Sequence, residues 1–156
     1  MSLENLLKIG QLKPHPPDAA EVQRLLLAAG RSLADARVTA ISPETRFDAA
    51  YRAVMQAALA ALMANGYRPD TSRPGHHATL VQGLVLTIGL VPARVMVLDA
   101  LRRKRNLADY TGEDIDDSST TQCIAEAERL LRDVKAWIRV NRPALIAAGG
   151  KGGRDD

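Results

Sequence analysis

Apolar residues recur every three to four positions along most of this chain, the spacing that collects them on one face of an α-helix. After Asp18, for example, the pattern continues through Val22, Leu26 and Leu33. β-Branched residues never gather into the alternating runs that are typical of strands. The pattern therefore predicts five or six helices, at about residues 3–9, 18–36, 42–64, 74–89, 92–109 and 119–140.

Residues that favour helix ends mark several of these boundaries. Asp18 and Ser42 stand where an N-cap is expected, and Pro43 suits a first helical position. Ser119, with Gln122 three residues later, has the spacing of a capping box. We therefore expect the last long helix to begin at Ser119.

Composition agrees with helices packed on helices, because alanine and leucine dominate the apolar residues and aromatic residues are few. We expect an all-α fold, an up-and-down bundle of four long helices plus a short N-terminal helix. A chain of 156 residues is one domain by length and can bury a substantial core. We assign that domain to residues 1–145, and we expect the glycine-rich residues 146–156 to form a disordered tail.

Charge, cysteine content and hydropathy narrow the class of protein. The net charge of +3 is compatible with an anionic partner but modest for a nucleic-acid-binding protein. The single cysteine, Cys123, excludes an internal disulfide and a Cys-rich zinc site, and it suits a reducing compartment. The sequence shows neither a signal-peptide layout nor the roughly 18 uninterrupted apolar residues of a membrane span. We expect a cytoplasmic protein without membrane contact, metal or cofactor.

The candidate chemistry lies in the stretch RRKRNLADYTGED of the fifth predicted helix. A helical projection places Arg105 between Leu98 and Leu101, in the middle of the apolar face. Because a guanidinium keeps its charge, this position requires an acidic partner, a groove open to water or an anionic ligand. The simpler interpretation is an ion pair with Asp109, four residues further on.

A second interpretation of the same stretch is a binding site for phosphate. Asn106 and Tyr110 add an amide and a phenol beside Arg105, where the helix opens into a loop. Arg102 precedes them by one turn and is included among the candidate ligand-binding residues. A cation, an amide and a phenol suit a phosphate better than a metal ion.

Histidines at the start of the fourth predicted helix are further candidates. If that helix and the fifth are antiparallel neighbours, His76 or His77 lies near Arg105. His77 is then either a structural, hydrogen-bonded histidine or a group that exchanges protons. Adjacent histidines cannot bind one metal ion from one helical face, so we expect no metal. Asp48 is a candidate for the same pocket, or else it forms an ordinary surface ion pair with Arg52.

The stretch RNLADY, on the penultimate helix of a small bundle, resembles the signature region of the HEPN superfamily, helical domains of higher eukaryotes and prokaryotes named for nucleotide binding. The resemblance covers roughly residues 1–140. It implies a metal-independent RNase in active members, with an arginine, often an asparagine after it, and a histidine four to six residues beyond the arginine. Arg105 and Asn106 take the first two positions, whereas Tyr110 stands in place of the histidine. A phenol, with an ordinary pKa of about 10, exchanges protons poorly near neutral pH.

Three functions follow from the residues and the resemblance. We expect a HEPN-type domain that binds RNA or nucleotide at Arg105, Asn106 and Tyr110, with catalysis weak or lost. The first alternative is a regulatory helical partner of a nucleotidyltransferase in a toxin-antitoxin or defence pair. The second is an active metal-independent RNase toxin in which His76 or His77 is the base. The resemblance also implies a homodimer whose two arginine motifs meet across a cleft.

Overall fold

A computed structural model of the chain describes residues 1–146. It is mostly helical, which confirms the all-α class, and it adds one small antiparallel sheet that the sequence did not predict. Within those residues no helix is long and apolar enough to cross a membrane. The elements, in chain order, are α1 (Leu3–Lys8), β1 (Leu12–Pro14), α2 (Ala19–Ala36), α3 (Pro43–Ala64), β2 (Tyr67–Pro69), α4 (His76–Gln82), α5 (Leu84–Thr87), α6 (Pro92–Thr111) and α7 (Asp117–Asn141).

Side-chain caps begin three of the four long helices, α2, α3 and α7. The Asp18 carboxylate and the Ser42 hydroxyl accept hydrogen bonds from backbone N–H groups in the first turns of α2 and α3, as predicted. The predicted start of α7 at Ser119 is wrong. Asp116 is the N-cap, and its carboxylate accepts hydrogen bonds from both the backbone N–H and the hydroxyl of Ser119.

The fourth predicted helix is divided at Gly83 into α4 and α5. A Cβ atom at Gly83 would lie 2.8 Å from the backbone oxygen of Thr79, so only glycine fits this close turn. In contrast, α6 continues to Thr111, slightly beyond its predicted end. Gly112, with a φ of 75°, ends α6 in the left-handed conformation.

The sheet joins the segment after α1 to the segment after α3. Leu12 lies opposite Pro69, and Pro14 lies opposite Tyr67, in antiparallel register. Strands of three residues are too short to show an alternating pattern, and each of them ends in proline. Periodicity therefore could not reveal them.

The core is centred on α3, which packs against α2 on one side and α7 on the other. Thirteen of its 22 residues are buried, and many of them, such as Ala50, Ala57 and Ala61, are small. Small side chains allow the flanking helices to approach closely. The helix α6 lies antiparallel to α7 at the edge of the bundle, where α4 and α3 also contact it. This position leaves one long side of α6 exposed.

The last two described residues, Leu145 and Ile146, pack against the bundle. The side-chain amide of Gln23 donates a hydrogen bond of 2.6 Å to the backbone oxygen of Leu145, and Ile146 is half-buried against the core. Ile146 therefore belongs to the domain rather than to the predicted tail. Residues 147–156, the rest of that tail, lie outside the described residues.

Candidate functional site

Arg105 is half-buried, with 31 % of its side chain exposed, and it has acidic partners on two helices. Its Nε atom lies 3.3 Å from Oδ2 of Asp109 on α6 and 3.6 Å from Oδ1 of Asp48 on α3. The guanidinium carbon lies 5.0 Å from the centroid of the Tyr51 ring, within range of a cation–π contact. The structure therefore contains the predicted ion pair with Asp109 and supplies two further partners.

Asp48 does not form the surface pair that the sequence analysis considered. Within residues 1–146, Arg52 makes no ion pair, whereas Asp48 reaches across to Arg105 on the neighbouring helix. The i, i+4 spacing made a pair with Arg52 possible, but the packing of α3 against α6 brings a different cation into range. Asp48 consequently belongs to the candidate pocket.

A cavity of about 140 Å³ lies beside Arg105, and its polar lining is mainly acidic. Glu44, Asp48, Asp109 and Glu113 all border it, so four carboxylates face one guanidinium. An oxygen of Glu44 accepts a hydrogen bond of 2.9 Å from the backbone of the loop before α7. Because like charges repel, this arrangement weighs against the binding of a phosphate here.

Tyr51, which the sequence analysis did not include in the candidate site, connects the arginine to the histidines. It is buried, and its hydroxyl oxygen lies 3.3 Å from Nδ1 of His77. Burial raises the pKa of Tyr51 to about 12, although the positive charges of Arg105 and Arg102 act in the opposite direction. The phenol is therefore protonated at neutral pH.

The histidines lie near Arg105, as predicted from the antiparallel arrangement of α4 and α6. The Tyr51 ring contacts both His77 and Arg105, so it links the two residues. The His76 ring packs edge-on against His77 with centroids 4.6 Å apart. Burial lowers the pKa of His77, and positive charge at His76, Arg105 and Arg102 lowers it further. His77 is thus neutral at pH 7, and it is hydrogen-bonded to a phenol.

Tyr110 does not join the pocket, so the expected grouping of its phenol with Arg105 is wrong. The Tyr110 side chain is 92 % exposed. Five helical residues correspond to a rotation of about 140°, which turns Tyr110 away from Arg105. Asn106 is also exposed, and among the described residues its side chain makes no hydrogen bond. The phenol beside the cation belongs to Tyr51 instead.

Arg102 is held by a buried carboxylate that the sequence analysis missed. Asp99 is buried on α6 and accepts a hydrogen bond of 2.8 Å from Nε of Arg102. Nη2 of Arg103 lies 2.9 Å from the other oxygen of Asp99. The i, i+3 and i, i+4 spacings were the available signal. Asp99 therefore holds two arginines at once, and the positive charge of Arg102 still acts on Tyr51 and His77.

The outward side of α6 carries an apolar stripe, which we call the outer face of α6. Met96 is 72 % exposed and Leu107 is 56 % exposed, although both are large and apolar. The stripe follows alternating spacings of three and four residues along the whole helix. Its members, all exposed, are Ala93, Met96, Ala100, Arg103, Leu107 and Tyr110.

The described part of the chain contains neither a cluster suited to a metal ion nor a reactive thiol. Residues 1–146 contain no cluster of three or more histidine, cysteine, aspartate or glutamate side chains that could hold a metal ion. Cys123 is buried, with its sulfur 3.9 Å from the backbone oxygen of Phe47. Burial raises the pKa of Cys123 to about 12, so the thiol is protonated and unreactive.

Comparison with protein-family models, curated proteins and solved structures finds no match for this chain.

Proposed function

We propose that this chain is a helical interaction module that forms a two-fold dimer through the outer face of α6. In this form it acts as the regulatory partner of another protein. The nucleotidyltransferase implied by the HEPN resemblance is the first candidate for that protein. The observation that carries the proposal is the exposed apolar stripe of α6. Large exposed apolar patches on a folded protein mark sites of interaction.

The stripe has the spacing of a coiled-coil seam, in which apolar residues repeat every three and four positions. The opposite side of α6 already supplies the fold, since Val95, Leu98 and Leu101 are buried in the core. Packing within one copy therefore does not explain why Met96 and Leu107 are apolar. Contact with a second helix does.

An antiparallel pair of α6 helices gives complementary layers along the stripe. With the two-fold axis between Ala100 and Arg103, Met96 faces Leu107 of the second copy. Ala93 faces Tyr110, and Ala100 faces Arg103, so that a small residue meets a large one in each of these layers.

Charge also favours the antiparallel arrangement. In this register each Arg103 lies opposite the small Ala100 of the second copy and keeps its ion pair with Asp99 of its own helix. A parallel pair in register would instead bring Arg103 against Arg103, and like charges disfavour that pairing. The stripe spans residues 93–110, or about 26 Å at 1.5 Å per residue. Such a contact is at the small end of specific interfaces, so we expect a dissociation constant of about 1–100 µM.

Sedimentation velocity between about 1 and 500 µM protein tests the proposal. We expect the parent chain to shift from monomer to dimer, and we expect Leu107→Glu to remain a monomer. Leu27→Glu is the matched control, because Leu27 is 66 % exposed on α2, a helix that packs against α3 and α7. A parent chain that stays monomeric throughout, or equal weakening by both variants, contradicts the proposal.

RNA or nucleotide binding at Arg105 is a second candidate. One observation favours it: the buried Nε of Arg105 has no hydrogen-bond partner among the described residues, despite the two nearby carboxylates. The surrounding acidic groups oppose it. Filter binding of labelled single-stranded RNA at low salt, with parent and Arg105→Ala proteins, tests this candidate. Retention by the parent that the variant loses supports it, and equal retention or none contradicts it.

We do not propose ribonuclease activity for this chain. Arg105 and Tyr110, which take the arginine and histidine positions of the resemblance, are separated, because the two side chains leave α6 in different directions. His77 is hydrogen-bonded to the buried hydroxyl of Tyr51, which occupies its Nδ1 atom.

A further inference from the structure

An apolar groove lies near the N-terminus of α6, remote from Arg105. It has a volume of about 510 Å³ and runs between the α5–α6 connection and the C-terminal part of α7. Val91 and Val140 form its two walls and are both exposed, while Trp137 is half-buried between them. We call it the Trp137 groove. Its apolar walls are suited to a large apolar side chain.

Arg94 lines this groove with unused hydrogen-bond donors. Its Nη1 atom pairs with Asp133, but its Nε and Nη2 atoms are buried and have no hydrogen-bond partner among the described residues. A buried donor without a partner is costly, and a guanidinium fits carboxylate oxygens well. The Arg94 side chain, 14 % exposed, therefore supplies positive charge to the lining of the groove.

The charges around the groove favour an anionic occupant. Arg94 and Arg129 line it and Arg142 lies over the Trp137 ring at 5.7 Å, whereas Asp133 is the only acidic residue in its lining. The first turn of α6 also faces this end of the molecule, and no side chain caps it. The positive end of the helix dipole therefore adds to the arginines.

We propose that the Trp137 groove binds an acidic peptide segment whose large apolar side chain packs between Val91 and Val140. Carboxylates on either side of that residue reach Arg94 and Arg129. The walls are open at the surface, as suits an extended segment rather than a small enclosed molecule. The proposal does not depend on dimerisation, because none of these residues belongs to the outer face of α6.

Trp137 is the only tryptophan of the chain, so its fluorescence reports directly on the groove. The probe is a blocked pentapeptide, Glu-Leu-Glu-Leu-Glu, and its control is Gln-Leu-Gln-Leu-Gln. We expect the acidic peptide to change the emission with a dissociation constant near 100 µM. The neutral peptide is expected to bind about tenfold more weakly, since one well-placed ion pair corresponds to a factor of this size. The monomeric Leu107→Glu protein should bind the acidic peptide as the parent does.

Variants of α7 locate the binding site. Arg129→Gln should weaken binding of the acidic peptide several-fold and leave the neutral peptide unchanged. Arg132→Gln removes an exposed cation of the same helix outside the groove, and it should have no effect. Val140→Ser should weaken both peptides alike.

Three results overturn the proposal. The first is no change in Trp137 fluorescence up to about 2 mM acidic peptide, a concentration well above that expected for half-saturation. The second is equal affinity for the acidic and neutral peptides. The third is tighter binding of octanoate than of the acidic peptide, which would make the groove a site for small apolar anions.

Discussion

Replacing Arg105 tests whether this cation is satisfied within the fold. Arg105→Met removes two ion pairs whose carboxylates, on Asp48 and Asp109, are about half exposed. Each such pair stabilises a protein by about 0.2–1 kcal/mol, and the contact with the Tyr51 ring adds about 0.5–1 kcal/mol. Methionine restores part of the lost packing against the ring. We therefore expect the free energy of unfolding to fall by about 1 kcal/mol.

A double-mutant cycle isolates the contact between Arg105 and Tyr51. Urea unfolding, followed by circular dichroism at 222 nm, gives the free energies of the parent, Arg105→Met, Tyr51→Leu and the double variant. We expect a coupling energy of about 0.5–1 kcal/mol. Arg52→Met is the control, because Arg52 is exposed on α3 and forms no ion pair within the described residues. It should change stability by less than about 0.5 kcal/mol.

Two results would refute this reasoning. A loss above about 3 kcal/mol for Arg105→Met would mean that its removal leaves a carboxylate buried without a partner. A gain above about 1 kcal/mol would mean that the fold carries an unsatisfied cation, as a ligand-binding residue often is. The second result would favour the candidate function of RNA or nucleotide binding at Arg105.

The remaining predictions concern pH and helix capping. Because the pKa of His77 is lower in the folded chain, the unfolded chain takes up the proton first, and stability declines as the pH falls below the usual histidine value of about 6.5. Urea midpoints at pH 7.5 and 5.5 should therefore differ less for His77→Gln than for the parent, and an equal difference would contradict the assigned shift. Asp116→Ala should lower the melting temperature more than Ser119→Ala, since Asp116 caps α7. A larger effect of Ser119→Ala would restore Ser119 as the cap.

The helices could be predicted because local signals determine them. Periodicity located the segments, and Asp18 and Ser42 marked two starts correctly. At α7 the signals were ambiguous, since Asp116 and Ser119 both suit an N-cap and only the backbone hydrogen bonds distinguish them. The break at Gly83 depends on how closely one turn approaches the next, which periodicity does not report.

The candidate site was less predictable because its contacts cross between helices. The pair of Arg105 with Asp109 lies within α6, so spacing alone suggested it. Asp48 and Tyr51 are on α3, and only the packing of α3 against α6 brings them to Arg105. The orientation of Tyr110 was accessible from the sequence, because a rotation of 100° per residue already turns it away from Arg105. The apolar outer face of α6 was visible in the same way.

Disulfide cross-linking of paired α6 helices tests the central claim most directly. The antiparallel register places residue 96 of one copy opposite residue 107 of the other. It separates the two copies of residue 107 by about 16 Å along the helix axis, at 1.5 Å per residue. Cys123 is buried and does not interfere.

Under mild oxidation, the Met96→Cys, Leu107→Cys double variant should form a covalent dimer on a non-reducing gel, whereas Leu107→Cys alone should remain monomeric. Cross-linking by Leu107→Cys alone, or none by the double variant, would contradict the proposed dimer.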